Sequence, residues 1–128
     1  MKENLIFIPN NVPSSKNNKV WTGRYFIWSK RALAYKKDTK EQFLLNKDLF
    51  LSMLEGKEKP YIVGFHFVRN NKHKFDFVNM VQTMQDLMVE YEYLEDDNCD
   101  IMLPFPLIIN DKYYQIDKNN PGVYIRIL

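Results

Sequence analysis

Short apolar runs that end at turn-forming residues predict the first strands of this chain. NLIFIP (4–9) stops at Pro9, and RYFIWS (24–29) follows a turn-rich, basic loop over 10–23. PYIVGFHFVR (60–69) is rich in β-branched and aromatic residues. We therefore expect this third run to be a central strand of a sheet.

Two longer segments predict helices. Ser29 is suited to cap a helix that begins at Lys30, and strong helix formers and apolar residues continue until Gly56. In the second segment, 77–91, apolar residues recur at helical spacing on one face. The other face carries polar side chains, which are Asn79, Gln82, Thr83, Asp86 and Glu90.

The last third of the chain predicts extended structure. CDIMLPFPLIIN (99–110) contains Pro104 and Pro106, which lack the N–H that a central strand needs, so we expect an edge or interrupted strand. Residues 111–128 are interpreted as two strands joined by the turn KNNPG. The whole order predicts a single α+β domain over 1–128, with a mixed β-sheet packed against two main helices.

The composition fits one packed domain. Of 128 residues, 45% are hydrophobic, and nine Phe, eight Tyr and two Trp argue against disorder. No apolar run reaches the roughly 18 residues of a membrane span, and no signal peptide is expected. The single cysteine, Cys99, excludes an internal disulfide framework, which favours a reducing compartment. We expect Cys99 to be a small, partly buried residue.

Charge is distributed unevenly, although the net charge is only +2. Between Lys16 and Lys47 there are nine Lys or Arg and two acidic residues, whereas Asp86 to Asp100 holds seven acidic residues and no basic ones. Such a distribution suits a protein that holds a polyanion and places metal ions against it. The alternative is that both segments are solvated surfaces.

The motifs of several enzyme classes are missing from the sequence. There is no Gly-rich phosphate loop, no GxSxG and no HExxH, so P-loop chemistry is excluded and no nucleotide cofactor is expected. His66 is interpreted as a packed or hydrogen-bonded histidine of the central strand. His73 lies in a basic turn and is interpreted as solvated.

Asp76, just before the second predicted helix, has two interpretations. Its side chain can accept a hydrogen bond from the backbone N–H of Asn79 as an N-cap. It can also contribute to a Mg²⁺ site, since this ion takes one or two carboxylates together with substrate phosphate oxygens. The acidic turn at 95–97 could supply the other carboxylate if the chain doubles back along the helix, or if two subunits meet. That turn could equally be solvated.

A spaced series of polar residues connects these features. DFVN (76–79) is followed by Asp86, seven residues after Asn79, and by YLEDDN (93–98). This series resembles the RusA family of Holliday junction resolvases, which has D-x-D-N at a helix start, a further Asp at the same spacing, and a hydrophobic-x-D-D turn. The resemblance extends more loosely to the N-terminal half, whose family loop Pro-Ser-x-Asn is matched by Pro13, Ser15 and Asn17.

The resemblance implies a RusA-like fold and a Mg²⁺-dependent endonuclease, with Mn²⁺ as an alternative ion. Such an enzyme is a hydrolase that resolves four-way junctions in DNA recombination and repair. It further implies a homodimer in the cytoplasm of a bacterial cell, encoded in many cases by a phage or prophage. Asp76 and Asp97 fall on the metal-binding positions, and Asp96 joins them as a catalytic candidate. Asn79, Gln82 and Asp86 fall on site-supporting positions.

The chain departs from the family pattern at two positions. Val78 replaces the second aspartate of D-x-D-N, and Gln82 replaces a lysine. Because valine cannot ligate a cation, metal affinity should fall. A second hypothesis is therefore a catalytically impaired junction-binding protein of the same fold. In both hypotheses the expected DNA contacts are salt-sensitive and mostly basic; they are Lys16, Asn17, Lys19, Arg24, Lys72 and Lys74.

Overall fold

The computed structural model describes residues 4–128, except for the side chain of Asn17. Its elements follow the chain as β1 Ile6–Pro9, β2 Lys19–Trp21, β3 Phe26–Trp28, α1 Lys30–Leu54, β4 Tyr61–Arg69, α2 Phe77–Glu90, β5 Met102–Pro106, β6 Tyr114–Ile116 and β7 Gly122–Ile127. A short 3₁₀ turn, Ser15–Asn17, precedes β2. The predicted α+β class, with a mixed sheet and two main helices, is confirmed.

Strand β4 is central, as its sequence predicts. It pairs antiparallel with β7, which in turn pairs antiparallel with β1. On its other side β4 pairs parallel with β5 along Tyr61–Phe65 and with β6 along Phe67–Arg69. Strand β5 lies at the end of the strand order, as its sequence predicts. Its two prolines cannot donate a backbone hydrogen bond, and an edge strand needs such donors on one side only.

The prediction of two strands joined by a turn in residues 111–128 is confirmed, although the two strands do not pair with each other. Strands β6 and β7 lie on opposite sides of β4 and pair with it separately. The connection is a turn in which the carboxylate of Asp117 accepts from the backbone N–H of Asn119 at 3.0 Å. The backbone N–H of Asp117 donates to the carbonyl oxygen of Arg69 at 2.8 Å, and this bond holds the turn against the end of β4.

Helix α1 begins and ends where its sequence predicts. The hydroxyl oxygen of Ser29 accepts from the backbone N–H of Ala32 at 3.2 Å, which satisfies a free donor of the first turn. The helix ends at Leu54, and Gly56 adopts a φ of 76°, a conformation that side-chain-bearing residues avoid.

Both helices cover one face of the sheet. The alternating residues Val63, Phe65 and Phe67 of β4 join apolar residues of both helices in one buried cluster. On the opposite face His66 is fully buried, and its Nδ1 lies 2.8 Å from the carbonyl oxygen of Leu107. Burial lowers the pKa of His66. The interpretation of His66 as a packed, hydrogen-bonded residue is confirmed.

Residues 19–28 form a hairpin, and not the loop and single strand that the sequence predicted. Strands β2 and β3 pair antiparallel. Their turn is closed by the N–H of Thr22, which donates to the carbonyl oxygen of Tyr25 at 3.1 Å, and Gly23 takes a φ of 98°. Because both strands are largely exposed, burial alternation gives no signal for them.

Cys99 corrects another expectation, because it is exposed. It follows the acidic turn, in which side-chain oxygens of Asp96 and Asn98 accept hydrogen bonds from backbone N–H groups. The side chain of Asn98 accepts from the backbone N–H of Asp100 at 2.9 Å, which fixes the backbone around Cys99 on the surface. Within residues 4–128, no helix is long and apolar enough to cross a membrane.

Candidate metal and nucleic-acid site on helix α2

Helix α2 carries the candidate site on the face opposite the core. Its apolar residues recur at helical spacing and are buried, as the sequence predicts; they include Met80, Val81, Met84, Leu87 and Met88. Anchored by this face, the helix holds its polar stripe in a fixed position. The stripe lies under the loop of residues 13–19, which is called the 13–19 loop below.

Asp76 occupies the N-cap position but does not make the side-chain capping bond of its first interpretation. Its side chain accepts no hydrogen bond from the backbone of α2. Instead Oδ2 accepts from the ammonium group of Lys16 at 3.2 Å and from the side-chain amide of Asn79 at 3.1 Å. A cation of the 13–19 loop therefore competes with the helix for this carboxylate, which remains exposed.

Two buried polar side chains fix the 13–19 loop to the helix. The side-chain amide of Asn18 donates to the hydroxyl of Thr83 at 2.9 Å, and that hydroxyl donates to the carbonyl oxygen of Pro13 at 2.8 Å. Asn18 and Thr83 are each 4% exposed. The sequence assigned Thr83 only to a polar face, since no local pattern shows which distant loop covers it.

Asp86, which lies further along the polar stripe of α2, is half-buried. Its Oδ1 accepts from the side-chain amide of Gln82 at 2.8 Å. Burial raises the pKa of Asp86, and the negative charge of Asp97 raises it further, while the Gln82 hydrogen bond and the charge of Lys19 oppose the rise. Asp97 is thus close enough to act on Asp86 electrostatically.

The acidic turn approaches the helix because the chain reverses directly after α2. Glu92 adopts a φ of 62°, and Tyr93 is then buried, with its hydroxyl donating to the carbonyl oxygen of Phe43. The backbone N–H of Tyr93 donates to the carbonyl oxygen of Met88 at 2.8 Å. Beyond this reversal, Asp97 lies near enough to Asp86, about one turn before the helix end, to contribute to its raised pKa.

The two aspartates of the turn have different surroundings. The carboxylate of Asp96 accepts from the backbone N–H of Asp97 at 2.7 Å and from the side-chain amide of Asn98 at 3.0 Å. These bonds lower the pKa of Asp96. Asp96 therefore closes its own turn, while Asp97, which is half-buried, is the member of the pair whose charge reaches α2.

The predicted DNA-contacting cations lie in two places. Lys16 and Lys19 border a cleft above Gln82 and Asp86, and the ammonium group of Lys19 lies 5.2 Å from the ring centre of Trp28. Lys72 and Lys74 line a separate groove next to Asp76. Arg24 is exposed at the turn between β2 and β3. The side chain of Asn17 lies outside the described residues.

A metal ion held at the carboxylates of Asp86 and Asp97 would need further ligands from a substrate. Within residues 4–128 no group of three or more His, Cys, Asp or Glu is arranged to hold a metal ion. The negative charge of Asp97 contributes to the raised pKa of Asp86, and a divalent cation bound beside Asp86 would be favoured by the same charge. Mg²⁺ characteristically needs only one or two carboxylates when phosphate oxygens are present.

Comparison with known proteins adds no relative. A scan against protein-family models finds no match, and a search of curated proteins finds no significant one.

We predict that Thr83→Val loosens the 13–19 loop. Valine has nearly the same shape but leaves the buried amide of Asn18 and the carbonyl of Pro13 without their partner, which should cost about 1–3 kcal/mol in the free energy of unfolding. Urea denaturation and limited proteolysis of the loop measure the effect. Thr83→Ser retains the hydroxyl and serves as the control. Equal stability of the valine variant and the wild type would contradict the bridge.

We predict that Asp97→Asn lowers the pKa of Asp86, because it removes a neighbouring negative charge. A raised pKa means that the folded protein binds the Asp86 proton more tightly than the unfolded chain does. This contribution to stability therefore declines as the pH rises from about 4 through the folded pKa. Carboxyl-carbon NMR titration measures the pKa directly. Asp100→Asn, in the same segment, is the control, and an unchanged Asp86 titration in Asp97→Asn would refute the proximity.

Proposed function

We propose that this protein is a Mg²⁺-dependent, structure-specific endonuclease of the RusA type that resolves four-way junctions and related branched DNA. The observation that carries the proposal is the proximity of the acidic turn to α2, expressed in the contribution of Asp97 to the raised pKa of Asp86. Asp97 acts electrostatically on Asp86, and both belong to the spaced series that begins at Asp76. The cations of the 13–19 loop border the same helix.

The proposed division of roles follows from these surroundings. Asp97 and Asp86 would hold the ion between the acidic turn and α2. Asp76, ten residues and about 15 Å earlier along the helix, would add to the negative field that attracts the ion. When bound, Mg²⁺ activates a water molecule and stabilises the leaving oxygen of the phosphodiester. Lys16 would transfer from the Asp76 carboxylate to a DNA phosphate, since the present ion pair is exposed and therefore weak.

The DNA-binding part rests on charge placement. Lys16 and Lys19 border the cleft at Gln82 and Asp86, and Lys72 and Lys74 line the groove next to Asp76. Arg24 is exposed at the turn of the hairpin. Such contacts bind the phosphate backbone without reading sequence. The proposal includes a homodimer, because symmetric cutting of a four-way junction requires two equivalent sites. The location that it implies is the bacterial cytoplasm.

A second candidate function is junction binding without cleavage. Val78, at the motif position where the resemblance implies an aspartate, is 74% exposed, so its side chain makes little packing contribution. At the other departure, Gln82 donates to Asp86 and supplies no positive charge to a phosphate. Both departures would weaken the chemistry while leaving the fold and the surrounding basic residues in place.

We predict that the wild-type protein incises a synthetic four-way junction with Mg²⁺ or Mn²⁺, and that Asp97→Asn reduces the rate by about 100-fold or more. The metal contributes several kcal/mol to transition-state stabilisation, which accounts for that magnitude. Denaturing gels of end-labelled junctions measure incision. Linear duplexes with the same arm sequences and reactions with EDTA are controls.

The variant Val78→Asp separates the two candidates. The first turn of α2 holds no acidic residue, so a carboxylate there should be tolerated and should even add about 0.3–1 kcal/mol through the helix dipole. Incision by Val78→Asp, but neither by the wild type nor by the uncharged control Val78→Asn, would favour the binding protein. Failure of the wild type to bind junctions at low salt would overturn both candidates.

A further inference from the structure

A groove beside the candidate site combines aromatic and basic side chains. Its volume is about 600 Å³, within the range of small-molecule sites. It lies between the segment that leads into α2 and the segment around β6. The side chains relevant here are Lys72, Lys74, Phe75, Pro106, Tyr113 and Tyr114, and Asp76 also lines the groove.

The aromatic wall of the groove is held in place from behind. The ring of Phe75 meets that of Tyr114 edge to face, with 5.0 Å between ring centres. Behind it, the guanidinium carbon of Arg69 lies 4.9 Å from the centre of the Phe75 ring. Arg69 is buried and donates to the carbonyl oxygen of Val12 at 2.9 Å. The wall is therefore preorganised, which reduces the entropic cost of binding.

The front of the groove is open. Tyr113 is 67% exposed and Tyr114 is 45% exposed, and both line the same groove as the exposed Lys72 and Lys74. An occupant that uses all these groups must offer a flat apolar face together with negative charge. A nucleotide does so, since its base stacks on aromatic rings and its phosphate pairs with lysine.

Resting on the proposed function, we propose that this groove binds an unpaired nucleotide of a DNA strand at the branch point. In paired DNA, both faces of each base are already stacked, so a duplex can offer the groove only phosphates. An unpaired base has a free face for Tyr113 or Tyr114. The groove thereby places the unpaired strand next to Asp76 and supplies a preference for distorted over regular DNA.

Fluorescence anisotropy with labelled DNA tests this assignment. The probes are an eight-residue oligothymidylate, a linear duplex, a fully paired four-way junction, and the same junction with two unpaired thymidines at the branch point. We expect the unpaired thymidines to strengthen junction binding. The double variant Tyr113→Leu with Tyr114→Leu should bind the oligothymidylate about 5- to 100-fold more weakly, as loss of base stacking predicts. The corresponding double phenylalanine variant keeps the rings and should retain binding.

A charge-matched pair tests the lysines. Lys72→Gln with Lys74→Gln should weaken oligothymidylate binding and reduce its salt dependence. Lys37→Gln with Lys40→Gln, on the exposed side of α1, should change neither. Thermal melting followed by circular dichroism establishes that all variants fold. If the folded lysine variant retains wild-type binding and salt dependence, the groove assignment is overturned.

The remaining outcomes separate this inference from the proposed function. If the leucine variant binds oligothymidylate like the wild type while junction binding and incision persist, the groove assignment alone is overturned. Tyrosine-dependent oligothymidylate binding without any junction binding would support the groove and overturn the proposed function. If an acidic peptide displaces the oligothymidylate at equal concentration, and its binding depends on the tyrosines to the same extent, the assignment is overturned in favour of a protein partner.

Discussion

The pairing of β4 with strands on both sides is the constraint on which the rest of this structure depends. Strand β7 occupies one side of β4, and β5 and β6 share the other in succession. Because β6 pairs with the last residues of β4, Tyr114 lies beside the segment that leads from Arg69 into α2. The start of α2 and the aromatic groove are therefore neighbours as a consequence of sheet register, which also places Asp76 at their boundary.

A second, more local constraint brings opposite charges together. The buried hydroxyl of Thr83 connects the 13–19 loop to α2 through Asn18 and Pro13. Buried hydrogen bonds of this kind are costly to break on one side only, so the loop is held in one position. Lys16 and Lys19 thereby lie beside the carboxylates of α2 and of its N-cap. Basic and acidic residues that lie in separate segments of the sequence thus lie side by side on one surface, as Lys16 does with Asp76 and Lys19 with Asp86.

The sequence was most informative where local chemistry decides the structure. The cap at Ser29 and the apolar periodicity of α2 could be read directly. The hairpin at 19–28 could not, since its exposed strands lack a buried face. The hydrogen bonds of Asp76 also escaped prediction, because a distant loop residue, Lys16, competes for the carboxylate. Spacing indicated Asp86 and Asp97 as members of one series, but only the reversal after α2 shows that their charges interact.

If the acidic turn and α2 form one cation site, as we propose, amide NMR during a Mn²⁺ titration will show it. Substoichiometric Mn²⁺ should first broaden the resonances of α2 around Asp86 and of the turn around Asp97. The exposed turn around Asp117 should respond only at higher concentration, and Asp97→Asn should abolish the difference. Equal broadening at both turns, or none near Asp86, would contradict the account.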